Sequence, residues 1–332
     1  MTTQFLDDVI QGHRVVQSLD VGDLPCGEHQ LWFQASTCGI AQQQLLPVRV
    51  FKGTQSGPLL MITAGIHGDE LNGVLAAQQV ARKLVGKSVF GCVTIVPTVN
   101  LTGMLNHSRD FITSAPDASS VNLNRFFPGN HDGSTAERFL ANLWEKLLKP
   151  NATFAIDLHT QTSGAIYPLY AFADFRLPTA VEMARLMDPD CILDDPGDPG
   201  ILETVWNRNG IPSITVEVGM GKVTQLDMIQ RAVDGVINVL SHYQMITGTV
   251  KPPSRECVEG SKIVTVRAES GGFIIPQVAL LDEVKPDQLL AIQYDAFGQE
   301  SMRYLSPSQG VVLSHNTDAM REPGGLVVRL LS

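Results

Sequence analysis

Apolar runs recur along this chain at intervals that fit strands alternating with helices. Leu59-Leu60-Met61-Ile62-Thr63-Ala64, Cys92-Val93-Thr94-Ile95-Val96 and Phe154-Ala155-Ile156 are short and continuous. Runs of that kind read as parallel strands buried on both faces. Between the first two, Leu71, Val74, Leu75, Val80, Ala81 and Leu84 follow a helical pattern, which predicts a helix from about Glu70 to Val85. Ser134 with Glu137 three later has the form of a capping box and opens a helix running to about Leu148. Strands over 153–158, 166–172 and 213–218, a helix over 179–187 and a longest, last helix from about Gln225 to Met245 continue the series. The pattern predicts an α/β fold with a mixed, largely parallel sheet flanked by helices.

Two stretches depart from the alternation. Residues 13–51 look strand-rich, with Leu31-Trp32-Phe33 and Pro47-Val48-Arg49-Val50-Phe51 the clearest pieces. Asn100 to Asp132 is polar and too long for a plain connector, so it is expected to be functional or locally folded. After Lys251-Pro252-Pro253 the composition changes. Lys262-Ile263-Val264-Thr265-Val266, Gly272-Phe273-Ile274-Ile275, Gly310-Val311-Val312-Leu313 and Leu326-Val327-Val328-Arg329-Leu330 are short β-rich runs separated by Gly and Pro. The expected organisation is an α/β domain over 1–250 and a smaller all-β domain, sandwich or barrel, over 251–332.

Composition narrows the class. A chain of 332 residues with 44% hydrophobic and 17% charged residues is globular rather than disordered. The formal net charge of -10, without a local basic cluster, argues against a nucleic-acid partner. No apolar run reaches the length of a membrane span, and the first residues lack the basic-then-apolar pattern of a signal peptide. The five cysteines are scattered and have no Cys-x-x-Cys pairing, which reads as reduced thiols and a cytoplasmic location. Cys92 begins an apolar run and is expected to be buried in a strand.

Chemistry concentrates at the ends of the strand candidates. Gly65-Ile66-His67-Gly68-Asp69-Glu70 and Ile156-Asp157-Leu158-His159 together supply two imidazoles and one carboxylate, the ligand set of a catalytic zinc site with one position left for water. A lone His after a strand is more often an ordinary hydrogen-bonded residue. The flanking Gly65 and Gly68, which let backbone turn away from a strand end, and the second strand ending in Asp-Leu-His add weight to a metal. Asp157 leaves its strand on the same face as His159 and either orients that imidazole or is an ordinary strand-end Asp. Glu217 stands in the run Thr215-Val216-Glu217-Val218-Gly219, where a carboxylate needs a partner or a function. Asn124 and Arg125 offer an amide and a guanidinium fork suited to a carboxylate, or else a surface turn. Arg109 lies in the long polar stretch beside His107, and a solvated arginine is an equally fair reading of it.

These motifs carry a resemblance. Gly65-Ile66-His67-Gly68-Asp69-Glu70, Asn122-Leu123-Asn124-Arg125, Asp157-Leu158-His159 and Val216-Glu217-Val218-Gly219 stand in the order and approximate spacing of the succinylglutamate desuccinylase/aspartoacylase family, itself related to the zinc carboxypeptidases. The similarity covers about residues 45–245 and extends, more weakly, to Gly271-Gly272-Phe273 and Ser306-Pro307-Ser308-Gln309-Gly310. The resemblance implies a zinc-carboxypeptidase-like fold, with one zinc per chain at His67, Glu70 and His159. It makes Glu217 the general base and acid, and Asn124 and Arg125 the clamp for a substrate carboxylate. Arg109 follows Asn100 at the offset of the family's other arginine, which polarises the scissile carbonyl. The chain departs from the family where it has Asn100-Leu101 for Asn-Pro and Asn122 for Asp, both in the substrate loop rather than at the metal.

The resulting expectation is a zinc-dependent amidohydrolase that removes an acyl group from an N-acyl amino acid or similar small amide. Its partner is that small molecule, with no nucleic acid and no membrane; a homo-oligomer is left open. One rival is a metallocarboxypeptidase acting on peptides, against which the small β-domain weighs as a cap over the site. The other is a non-catalytic small-molecule-binding protein of the same fold.

Overall fold

The apolar runs form a single large sheet with helices packed on both faces. The structure is a computed structural model that describes residues 1–115 and 117–332. The N-terminal stretch supplies β1 (Gln4–Ile10), β2 (His13–Ser18), β3 (Gly27–Thr37) and β4 (Gln43–Lys52). Then come β5 (Leu59–Ala64), β6 (Cys92–Val96), β7 (Phe154–Gln161), β8 (Ala165–Ile166), β9 (Leu169–Ala173), β10 (Cys191–Asp194), β11 (Ser213–Met220) and β12 (Val258–Gly260). All but β8 join an eleven-stranded sheet in the order β1-β2-β3-β4-β6-β5-β7-β11-β9-β10-β12. Its centre, β6-β5-β7-β11, is parallel. The strand pairs on either side of that centre, β4 with β6 and β11 with β9, are antiparallel, so the sheet is mixed as the sequence predicts.

Among the described residues six α-helices accompany it: α1 (Leu71–Leu84), α2 (Leu101–Leu105), α3 (Thr135–Leu143), α4 (Pro178–Leu186), α5 (Leu202–Arg208) and α6 (Leu226–His242). Strand alternation divides the core in two. Ile62, Ile156, Ile214 and Val216 pack with Val74 of α1, Met183 of α4 and Val233 of α6 on one face. Met61 and Ala155 pack with Phe139 of α3 and Trp206 of α5 on the other. Each such buried aliphatic side chain contributes roughly 1.5–3 kcal/mol. Asp157, His159, Thr215 and Glu217 alternate with the first set, so they leave the sheet on the α3/α5 face, at the carboxyl ends of their strands. Open α/β sheets place ligands at such strand ends.

After β12 the chain builds two small sheets from β13 (Ile263–Arg267), β14 (Gly272–Pro276), β15 (Glu283–Val284), β16 (Leu289–Tyr294), β17 (Glu300–Leu305), β18 (Gly310–Asn316), β19 (Met320–Arg321) and β20 (Leu326–Leu331). Ile274, Leu290 and Tyr304 from one sheet share a core with Val312, Val327 and Leu330 from the other. The short β8 crosses over to pair with β18, His315 opposite Ile166, and so ties these sheets to the large one.

Three details differ from the sequence reading. Strand 166–172 is split into β8 and β9 around Pro168, which has no N–H to donate to a ladder. The helix after Ser134 keeps its capping box but passes into a π-turn at Trp144–Leu148. The N-terminal strands begin at Gln4, ahead of the predicted stretch. Among the described residues no helix is long and apolar enough to cross a membrane.

Candidate metal centre and active-site cavity

The loop after β5 is shaped by two glycines. Gly65 has φ +67°, a conformation that side chains other than hydrogen disfavour. A Cβ on Gly68 would lie 2.2 Å from the backbone of Gly103 and Met104. The loop therefore turns away from the strand and packs directly on α2, which carries His67 over the sheet and sets Glu70 at the start of α1. His159, on β7, faces both.

His67, Glu70 and His159 are buried and bring their donor atoms within 4.8 Å of one another. His67 Nδ1 lies 2.8 Å from Glu70 Oε1, His159 Nδ1 2.9 Å from Glu70 Oε2, and the two Nδ1 atoms 3.2 Å apart. The far ring nitrogens are already committed. His67 Nε2 donates to Asn122 Oδ1 at 2.9 Å, and His159 Nε2 donates to Asp157 Oδ2 at 2.7 Å. A ring that donates from Nε2 presents a lone pair at Nδ1 when neutral, so both imidazoles turn an electron pair toward the same carboxylate. Three electron-pair donors facing one point call for a cation.

The surrounding carboxylates favour positive charge at this point. Burial opposes a charged His159, yet the Asp157 and Glu70 carboxylates outweigh it and hold its pKa well above the ordinary imidazole value. Burial lowers that of His67. Burial likewise opposes the Glu70 carboxylate, but His67 and His159 keep its pKa below the ordinary range. The residues present therefore fit a divalent metal.

Glu217 reaches the same centre through strand register. It lies opposite His159 on β7 and opposite Tyr170 on β9, so the three side chains stand in a row across three strands. Gln161 Nε2 donates to Glu217 Oε1 at 2.9 Å and also bonds the Tyr170 hydroxyl. Glu217 Oε2 is buried and has no hydrogen-bond partner. Burial first, then the neighbouring Glu70, push its pKa up to about 8.

The long stretch from Asn100 to Asp132 is locally folded. Asn100 caps α2 by accepting from Gly103 N at 2.9 Å, and its amide bonds the Arg109 carbonyl. Gly68 N donates to that same carbonyl. Arg109 thus extends to the metal candidates, and its Nη1 pairs with Glu70 Oε1. Farther on, Phe111, Leu123 and Phe127 anchor the segment in the core. Asn122 Oδ1 accepts from both Asn124 N and His67. Asn124 is buried, with its Oδ1 taken by Leu202 N at the start of α5, which leaves its amide hydrogens for the cavity. His107 is exposed and stands apart.

These groups share one cavity of about 270 Å³. Of the seven residues singled out in the sequence, His67, Arg109, Asn124, Arg125, His159 and Glu217 line it, and Glu70 sits just beneath, bonded to three of its neighbours. Gln161, Asp195, Glu203 and Arg329 also line it and were not singled out. A carboxylate at Glu203, between the apolar pairs Ile201-Leu202 and Val205-Trp206, was the one available signal among them. Arg329, on β20, has no local mark, because only the tertiary fold brings it in.

Comparison with known proteins gives the same picture. The succinylglutamate desuccinylase/aspartoacylase catalytic domain matches residues 56–243. N-alpha-acetyl-L-2,4-diaminobutyric acid deacetylase of Halomonas elongata is 28% identical over 85% of this chain and 84% of its own length. Succinylglutamate desuccinylase of Pseudomonas paraeruginosa is 24% identical over 74% of this chain and 77% of its own. The product-bound ectoine utilization protein EutE (DoeB) of Ruegeria pomeroyi superposes with a TM-score of 0.79 at 23% identity, over 93% of this chain and 97% of that one. The domain match spans the strands and loops that carry the metal candidates, the Asn124-Arg125 pair and Glu217, and on that match the chain belongs to the succinylglutamate desuccinylase/aspartoacylase family.

Proposed function

We propose that this protein is a zinc-dependent deacylase of N-acyl amino acids, with zinc held by His67, Glu70 and His159. The observation that carries the reading is the pair of imidazoles whose Nε2 atoms are engaged by Asn122 and Asp157 while both Nδ1 atoms face Glu70. Relatives acting on acetyl and on succinyl groups support the reaction class without fixing the acyl group. When bound, zinc supplies a Lewis acid that polarises a carbonyl and acidifies water.

The chain's own residues supply the rest. Glu217 Oε2, buried and unpartnered, takes a proton from the attacking water and returns it to the departing amine. The Arg109 guanidinium, beside Glu70, meets the negative charge that develops on the amide oxygen. The Asn124 amide and the Arg125 fork grip the substrate carboxylate. A cavity of about 270 Å³ is of a size that suits a small substrate.

The test is a hydrolysis screen of metal-loaded protein against N-acetyl and N-succinyl amino acids, their carboxamides and short peptides, with elemental analysis alongside. About one zinc per chain and hydrolysis of free acids in preference to carboxamides is the expected result. Full zinc retention by both His67→Ala and His159→Ala would remove the metal site, and preference for peptides would move the protein to the carboxypeptidases.

A further inference from the structure

Strand β7 ends on Gln161, two residues past His159 and on the same face, with its side chain in the cavity wall. It does not meet Glu217 by ordinary pairing. β7 and β11 run in register as far as His159 opposite Glu217; β11 then takes one extra residue, so that Gln161 stands opposite Met220. Gly219 absorbs this bulge with φ +75°, and a Cβ there would lie 2.2 Å from Gln225 Oε1. Met220 N donates to Gln225 Oε1 at 2.8 Å, and Asn72 Nδ2 donates to Val218 O at 3.0 Å, so the bulge is pinned on both sides of Gly219. Gly221 N donates to the Gln161 carbonyl at 2.7 Å and holds the other strand. Bulges re-aim side chains, and this one sets the Gln161 amide against the Glu217 carboxylate.

The amide has one way to sit there. Its Nε2 carries two hydrogens, one given to Glu217 Oε1 at 2.9 Å and the other to the Tyr170 hydroxyl. A flipped amide would press its carbonyl oxygen on the carboxylate, two acceptors face to face. Tyr170 is itself fixed. It is buried, stacked on Tyr167 with ring centroids 6.0 Å apart and in contact with Phe172 at 5.1 Å. Among the described residues the Gln161 amide is the sole hydrogen-bond donor to the Glu217 carboxylate. The last torsion of a glutamate side chain is soft, so a single donor on Oε1 decides where Oε2 points. A lysine or arginine there would turn the base into half of an ion pair. A neutral amide orients it and leaves its charge unanswered.

We propose that Gln161, anchored by Tyr170, is the positioning residue for Glu217: it holds Oε1 and thereby aims the other oxygen at the water to be deprotonated. This rests on the deacylase reading above and adds to it the group that orients the base. Gln161 acts through Glu217, not on substrate or metal, so its loss should fall on turnover.

The experiment measures kcat and KM for the N-acetyl amino acid that the metal-loaded parent hydrolyses fastest. It compares Gln161→Met, Tyr170→Phe, Glu217→Gln and the double variants that join Glu217→Gln to each of the first two, with zinc affinity by chelator competition in parallel. Gln161→Met keeps the length of the side chain and removes its donor. Its kcat should fall by about 10–100-fold, the scale of a misplaced catalytic group, with KM and zinc affinity within about twofold of the parent. Tyr170→Phe frees one side of the amide and should lower kcat by about two- to tenfold, the scale of one neutral hydrogen bond. In the Glu217→Gln background both changes should alter the remaining rate by less than about twofold, because groups that act as a unit are not additive. Parent kcat in Gln161→Met overturns the inference. So does a rise in KM alone, which makes Gln161 a substrate contact, and so does an undiminished loss in the double variants, which makes it a brace of the fold. If Gln161→Met fails to fold or to hold zinc, Tyr170→Phe decides by the same signs: a kcat loss that vanishes in the Glu217→Gln background supports the inference, and any other pattern overturns it. All of these leave the deacylase reading standing. A parent that hydrolyses no N-acyl amino acid removes that reading, and this inference with it.

Discussion

Single side chains set the protonation states on which this centre depends. Glu217→Gln should keep the metal and the fold and lose about 10²–10⁴-fold in turnover, measured at saturating substrate. The same substitution has a stability signature. The carboxyl of Glu217 titrates at about 8 in the folded chain, against an ordinary 4.5. Below 4.5 the group is protonated in folded and unfolded chain alike, and its favourable term is fully present. As pH rises through about 8 that term is lost, because the folded state must ionise a buried acid. Gln cannot ionise. Chelated Glu217→Gln should therefore match the parent below about 4.5, gain on it progressively between about 4.5 and about 8, and hold a constant advantage at higher pH, by denaturant midpoints across the range. A second case is Asn122. Its Oδ1 fixes the His67 tautomer without adding charge. Asn122→Leu should weaken metal binding by about 10–100-fold in competition with a chelator, while His159, whose ring is held by Asp157, still binds.

At the scale of elements, the close approach of the β5–α1 loop to α2 matters most. Gly68→Ala puts a methyl into the Gly103 and Met104 backbone, which has no flexible end to yield. The expected cost is about 1–3 kcal/mol of stability, as for other overpacked sites, with weaker metal binding because His67 and Glu70 ride on that loop. Thermal unfolding and metal titration of the variant check both. The strands of the central sheet were legible because each is buried on both faces and so reads as an unbroken apolar run. The first strand was not: Gln4–Ile10 is mostly exposed and carries two acids. Nor was α5, whose seven residues bury five and so show no periodicity. The metal candidates were legible because spacing within one loop and one strand nearly determines their meeting. Asp195, Glu203 and Arg329 were not, since each enters the cavity from a separate element whose position is fixed by packing alone.

For the molecule as a whole, the decisive feature is how widely the cavity draws on the chain. Its walls run from His67 to Arg329, and β8 must find β18 before the small sheets sit against the large one. Contacts so distant in sequence close late, because the loop entropy they cost is recovered only once the intervening parts are in place. In a refolding experiment from denaturant, the far-ultraviolet strand signal should return first, with competence to bind a small ligand lagging behind it. Equal rate constants for the two would mean that the sheets assemble in one step. A lag has a practical side: during it the chain already has its sheet and its metal donors but not the wall that Arg329 completes. Such a species has its large sheet before its cavity is walled in, and ligand selection is the last property the folding chain acquires.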